Sequence, residues 1–312
     1  MHQTQTTGVL TDASRPVHEV LARRTITDYE SDWRMYDAWC RQKQREPLPA
    51  DSAAIAQFAR DALENHRIRT VRRYLCAIVH YHRALGYGKP DVSETLAILN
   101  GTQRLRSEEP IQKLAVSVDQ LRTMMEHLES AEEPRRTRDR AVILFGFATA
   151  LRRSSIVAVL LDHIRFQPEG MIVYVPREKQ DQAGKGRYIG VPFAQNEEVC
   201  AVRALERWLR LRGREPGWLF DGLRNGLFHP ERPMHHSTVA HIVKRAIAAP
   251  GTNPDSYGAH SLRAGFITAA LESGAGEIVT ARHTGHRSVA TLGIYLRSQN
   301  LFRGNVCATI GL

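Results

Sequence analysis

The chain has 312 residues, 42% hydrophobic and 24% charged, which is ordinary for a globular protein and long enough for two domains with separate cores. Its longest apolar run (141–151, AVILFGFATAL) is too short to span a bilayer, and the first 20 residues lack a signal-peptide layout. Four scattered cysteines (Cys40, Cys76, Cys200, Cys307) with no CxxC pair argue against a disulfide framework or zinc site, so a soluble cytoplasmic protein is expected; its net charge of +10 suits a nucleic-acid partner without requiring one.

Residues 1–20 show no periodicity and read as a flexible arm. Thr25 and Asp28 form a T-x-x-D capping signature, and Tyr29, Trp33, Tyr36 and Cys40 follow at helical spacing with an aromatic core face. EPLPA (46–50) breaks this helix, and the next begins near Asp51 with Ile55, Phe58 and Leu63. A third runs from about Arg67 to Leu85, ended by Gly86, Gly88 and Pro90. Its first turns carry Arg67, Arg69, Arg72 and Arg73, which oppose the helix dipole, so either a solvated face or a DNA-backbone contact accounts for them. A short helix over Val92–Leu99 completes a small helical domain, 21–100. Residues 101–117 have little pattern, carry Arg104, Arg106 and Lys113, and read as a linker.

The remainder, 118–312, carries most of the charge excess: 27 basic and 19 acidic residues in 111–312, against 16 and 14 in 1–110. Helical patterns cover Val118–Leu128, Thr137–Leu151 and Ser154–Leu161. The clear β signal is MIVYVP (171–176) and RYIGVPF (187–193), separated by the polar REKQDQAGKG with Lys179 and Lys185. Helices are expected again near Glu197–Arg212, Ser237–Ala249, His260–Ser273, Gly276–His283 and Ser288–Tyr295.

Four features of this second domain carry chemistry. LRRSS (151–155) presents Arg152 and Arg153 after an apolar helix, and the hairpin tip carries Lys179. GAHSLRAGF (258–266) puts His260 and Arg263 three apart on one helix face, where both reach the same small target, a carboxylate or a phosphate. TGHRSVATLGIY (284–295) sets His286 nine residues before Tyr295. Each alone has a bland reading as a surface pair, a solvated turn, a helix cap or a core tyrosine. Their conjunction, in this order and in a basic chain, does not.

The conjunction resembles the tyrosine recombinases, or phage-integrase family, over about residues 20–312. ALRRSS is similar to the motif of the family's first catalytic arginine and places it at Arg152; REKQDQAGKG is similar to the hairpin pattern and places the lysine at Lys179. H-x-x-R maps to His260 and Arg263, and the G-H followed by tyrosine to His286 and Tyr295. Ser155 stands where an acid is common and Ala150 where glycine is. The resemblance implies a mainly α, two-domain chain: a small helical (SAM-like) core-binding domain, then an α+β catalytic domain with a small antiparallel sheet.

It further implies site-specific DNA recombination by transesterification, with a 3′-phosphotyrosine on Tyr295 and no ATP, metal or other cofactor. Consistent with that, no G-x-x-x-x-G-K-[ST] loop is present. Arg152 and Arg263 would hold the phosphate, His260 is the candidate base, and Lys179 the acid for the leaving 5′-oxygen. Expected partners are a double-stranded recombination site and three further copies of the chain, as a homotetramer on two duplexes, with no membrane. Arg67, Arg69, Arg72, Arg73, Arg104 and Arg106 are candidate DNA contacts. In the tail (296–312), Leu301, Phe302 and Val306 pack on a neighbouring subunit or on their own domain. A DNA-binding regulator on the same fold, impaired by Ser155, and a type IB topoisomerase-like enzyme are the alternatives.

Overall fold

The computed structural model describes residues 23–106, 113–176, 186–224 and 227–293. The chain divides into two compact units, Met1–Ile111 and Gln112–Leu312. No described helix is long and apolar enough to cross a membrane.

Among the described residues the first unit holds four helices: α1 (Arg23–Gln42), α2 (Ser52–Asn65), α3 (Ile68–Ala84) and α4 (Ser93–Leu105). The aromatic stripe on α1 forms the core as its spacing predicts. Trp33 and Tyr36 are buried, with Trp33 stacked on Tyr81 at 4.6 Å and Tyr36 edge-on to Phe58 at 5.1 Å. Asp51 caps α2 by accepting from the Ala54 N–H at 2.6 Å. Two expectations need correction. The helix is already running at Arg23, so Thr25 lies inside it and is not its cap. The last helix continues six residues beyond Leu99, to Leu105, taking Arg104 out of the expected linker and leaving Arg106 as the helix C-cap.

The second unit begins with an extended segment. Its Leu114 and Val116 N–H groups donate to Ser256 and Ser261 carbonyls, so residues expected in the linker are held by this unit. Ser117 and Gln120 then form a reciprocal capping box at the start of α5 (Val118–Leu128). The apolar α6 (Arg135–Thr149) is the central helix, with Ala141–Phe145 fully buried. The short α7 (Arg153–Ala158) follows, then β1 (Ile164–Gln167), β2 (Gly170–Val175) and β3 (Arg187–Pro192) as an antiparallel sheet in the order β1-β2-β3. Val175 pairs with Arg187, so the segment carrying Lys179 is the β2–β3 connection.

After α8 (Ala201–Arg212) comes an antiparallel hairpin absent from the expectations, β4 (Asp221–Arg224) with β5 (Leu227–Pro233). The Asn225-Gly226 pair between the paired Arg224 and Leu227 is a strong two-residue turn signal that the sequence offered. β1 was also missed, because four residues with one buried side chain carry almost no period.

Three further α-helices follow among the described residues: α9 (His236–Ile247), α10 (Ala259–Glu272) and α11 (Glu277–Thr284). α10 lies close against its neighbours because of glycines at its contacts. A Cβ on Gly265 would stand 2.1 Å from the Val116 carbonyl oxygen, and one on Gly146 of α6 would meet Ile156 and Leu262 at 3.0 Å. Of the helix expected over Ser288–Tyr295, the described residues form a 3₁₀ turn, Val289–Thr291, and return to helix at Gly293.

Candidate active site

Three chain reversals bring the site together. The first is the end of α6, where Ala150 takes the left-handed conformation (φ 50, ψ 27) as C-cap and Arg152 leads into α7 in an extended one. A glycine there would carry no Cβ penalty, so the alanine at this position holds the turn at a cost in backbone strain. The left-handed turn aims the Ala150 carbonyl at α10, where it accepts from Arg263 Nη1 at 2.6 Å. Ala150 is fully buried. Ala150→Val is therefore expected to cost about 2 kcal/mol or more, from left-handed strain at a β-branched residue plus overpacking, read as a lower denaturation midpoint.

The second reversal opens α10. Gly258 is extended, and its N–H donates to Ser261 Oγ at 3.0 Å, tying off the helix start. His260 sits in the first turn and Arg263 one turn further, so both side chains meet at the positive end of the helix dipole. Arg263 is 1% exposed, an extreme burial for a guanidinium and costly unless its donors are used.

The third ends α11. Gly285 adopts the left-handed conformation (φ 69) and the His286 N–H returns to the Ala281 carbonyl at 2.9 Å. This stop swings the His286 ring onto Arg263, whose Nη2 lies 3.0 Å from Nε2 and 3.4 Å from Nδ1. The G-H of the sequence is thus a helix terminator and a site element at once.

Arg152, His260, Arg263 and His286 are near enough for their charges to act on one another. The crowding of protein around its ring, and then the guanidinium charges of Arg263 and Arg152, hold the His260 pKa below its ordinary value, although the residue is exposed at the surface. Burial pushes His286 down to about 4, assisted by Arg263, Arg152, His260 and Arg187. Both imidazoles are neutral at pH 7 in the DNA-free site. The folded state then binds fewer protons than the unfolded chain, whose histidines titrate near 6.5. The stability contribution is whole above that value and lost as pH falls through about 4. Thermal midpoints are expected to decline over that window, and less so in His286→Gln.

Lys179 and Tyr295 lie outside the described residues, as do Lys185, Leu301, Phe302, Val306 and the arm 1–20. Ser155, half-buried, donates its N–H to the Arg152 carbonyl at 2.8 Å. Three contributors escaped the sequence reading. Arg187 at the base of the hairpin donates to the His283 carbonyl, and the His283 ring stacks on Phe266 at 4.6 Å with Nε2 2.8 Å from the Ala148 carbonyl. Thr284 contacts His286 directly, Oγ1 to Nδ1 at 2.7 Å. Thr284 stood inside the T-G-H motif, and a helical threonine commonly bonds back to its i−4 carbonyl; that its hydroxyl also meets the His286 ring depends on the left-handed turn at Gly285.

In the first unit, the candidate DNA-contacting arginines separate by environment. Arg73 clasps the buried Asp32 with Nε and Nη2 at 2.7 and 2.8 Å, which explains its place against the helix dipole. Arg72 donates to Asn100 Oδ1 at 2.8 Å, and Arg106 to the Leu63 carbonyl at 2.7 Å. Arg67, Arg69 and Arg104 are exposed, as are Arg73 and Arg106, so what distinguishes Arg72, Arg73 and Arg106 is their internal bonds.

The second unit thus brings two guanidinium groups, Arg152 and Arg263, into reach of two imidazoles, His260 and His286, a set chemically able to hold a phosphodiester. The phage integrase family model matches residues 115–301, and the chain belongs to that family, the tyrosine recombinases. It is 29% identical over 296 residues to an integrase/recombinase xerD homolog of Selenomonas ruminantium, covering 94% of this chain and 87% of that protein. To the tyrosine recombinase XerD of Lacticaseibacillus casei it is 25% identical, covering 91% of each. Among solved structures, the Tn1549 transposon integrase in complex with transposon right end DNA superposes with a TM-score of 0.65 at 14% identity, over 97% of this chain and 99% of that one. A lambda integrase dimer bound to a COC′ core site gives 0.64 at 15% identity, over 95% and 78%. The two-domain, mainly helical fold with a small antiparallel sheet is the one expected from sequence.

Proposed function

We propose that this chain, a site-specific recombinase by family, cuts and rejoins DNA through Tyr295. The Tyr295 phenol oxygen attacks a backbone phosphorus, the bond to the 5′-oxygen breaks, and Lys179 gives that oxygen its proton. The product is a 3′-phosphotyrosyl link and a 5′-hydroxyl; a 5′-hydroxyl from the partner duplex reverses the step. One phosphodiester is exchanged for another, so no ATP is consumed.

The observation that carries the reading is the convergence of Arg263 and His286 on one spot, within the electrostatic reach of Arg152 and His260. Arg152 and Arg263 stabilise the charge that grows on the non-bridging oxygens. His260, kept neutral by its surroundings, is able to take the phenol proton. Arg67, Arg69 and Arg104 are the first unit's best candidates for backbone contact, since Arg72, Arg73 and Arg106 already serve internal bonds. A homotetramer on two duplexes is the proposed working state. A lambda integrase tetramer bound to a Holliday junction, with the same fold at a TM-score of 0.60, supports it.

The test uses nicked duplexes tiled across the DNA flanking the chain's own gene, with denaturing gels to detect a covalent adduct and peptide mass analysis to locate it. An adduct on Tyr295 supports the reading. Tight binding with no adduct on any duplex would favour a regulator, with Ser155→Glu as the variant to examine next.

A further inference from the structure

Thr284 is fully buried, and its hydroxyl faces three partners: the Thr280 carbonyl at 2.7 Å, the Ala281 carbonyl at 3.3 Å, and His286 Nδ1 at 2.7 Å. A hydroxyl has one proton, and a carbonyl can only accept. The proton therefore goes to the Thr280 carbonyl, and the oxygen lone pair must receive a proton from Nδ1. The reverse assignment would leave two oxygens 2.7 Å apart with nothing between them, inside the protein.

Arg263 agrees with this from the other side. Its Nη2 is within 3.4 Å of both ring nitrogens, whose in-plane directions diverge, so it lies against the ring face and along neither lone pair. A guanidinium over an imidazole face requires the neutral ring. Thr284 then decides which nitrogen keeps the proton.

We infer that Thr284 is a positioning residue that holds His286 as the Nδ1–H tautomer, leaving Nε2 as the nitrogen that takes up a proton when a DNA phosphate enters the site. The inference rests on the recombinase reading only for the identity of the phosphate. In the DNA-free site the groups acting on this ring are Arg263 and His260 of α10, Arg152 ahead of α7 and Arg187 of β3, all of which oppose a charge on it. A bound phosphodiester offsets those charges. One proton from solvent then adds to Nε2, and the imidazolium donates to a non-bridging oxygen while Nδ1–H stays with Thr284. In water the neutral imidazole prefers its proton on the other nitrogen, so without the hydroxyl the ring is freed to present the wrong edge.

Imidazole ¹⁵N–¹H correlation spectra of the full-length, DNA-free protein at pH 7.5 test this, with the His286 signals identified by their loss in His286→Gln. The wild type is expected to carry its proton on Nδ1. Thr284→Val, nearly the same shape, shifts the signals toward Nε2–H, and Thr284→Ser restores the wild-type pattern. On nicked duplex, Thr284→Val lowers the adduct rate at least ~tenfold and shifts its pH profile, while Thr284→Ser stays within about threefold. A wild-type proton on Nε2, or an unchanged spectrum in Thr284→Val, overturns the inference. Failure of every duplex to yield an adduct would instead count against the recombinase reading, and the tautomer would still be decided by the spectra.

Discussion

Tyr295→Phe is expected to lower covalent adduct formation by at least about four orders of magnitude while leaving duplex binding within about twofold. The phenylalanine ring keeps the shape and removes the oxygen that must become bonded to phosphorus. The surrounding cations would still hold the phosphate, so the variant protein should shift the same duplex in a native gel. Water could in principle replace the phenol, but hydrolysis discards the bond energy that rejoining needs, so nicking without adduct would be a different reaction. Retention of an adduct in Tyr295→Phe would place the nucleophile elsewhere and dismantle the assignment.

The second large effect is at Arg263. Its Nη1 serves the Ala150 carbonyl and its Nη2 the His286 ring, so the residue proposed to hold the phosphate is also the bolt joining the ends of α6, α10 and α11. Arg263→Ala would orphan a buried carbonyl and open a cavity, and loss of activity there would be confounded by unfolding. Arg263→Lys keeps the charge but not the planar fork. It is expected to reduce the adduct rate about 10²–10³-fold with duplex binding largely retained. The measurement is the single-turnover rate on nicked duplex, with a denaturation curve alongside. A lysine variant that cleaves within about threefold of wild type would mean that charge alone is used and that the fork geometry is incidental.

Much of the fold was legible because it is written locally. The α1 core stripe, the Asp51 cap, the Ser117 start of α5 and the two strands flanking Lys179 follow from spacing and capping chemistry within a dozen residues. The candidate site residues lie near helix ends, where local signals are strong: Ala150–Arg152, Gly258–His260 and Gly285–His286 are each a chain reversal that also presents a side chain. Where local signals were short or ambiguous, the reading slipped. β1 is too brief to show a period, α4 runs through a stretch of weak pattern, and the Asn225-Gly226 turn signal stood beside a strand, LFHPERP, whose two prolines argue against a strand reading.

By itself, then, the sequence determined the element types, the basic character of the second domain and the set of groups able to handle a phosphodiester. Tertiary structure alone decided their use, because the deciding partners are distant in the chain. Arg263 meets Ala150 across 113 positions and His286 across 23, while Arg73 finds Asp32 across 41. Those contacts convert a helix-end arginine into a buried anchor and turn one basic-cluster arginine into a structural ion pair. Burial and pairing are properties of what the rest of the fold packs against a residue, and no window along the chain contains them.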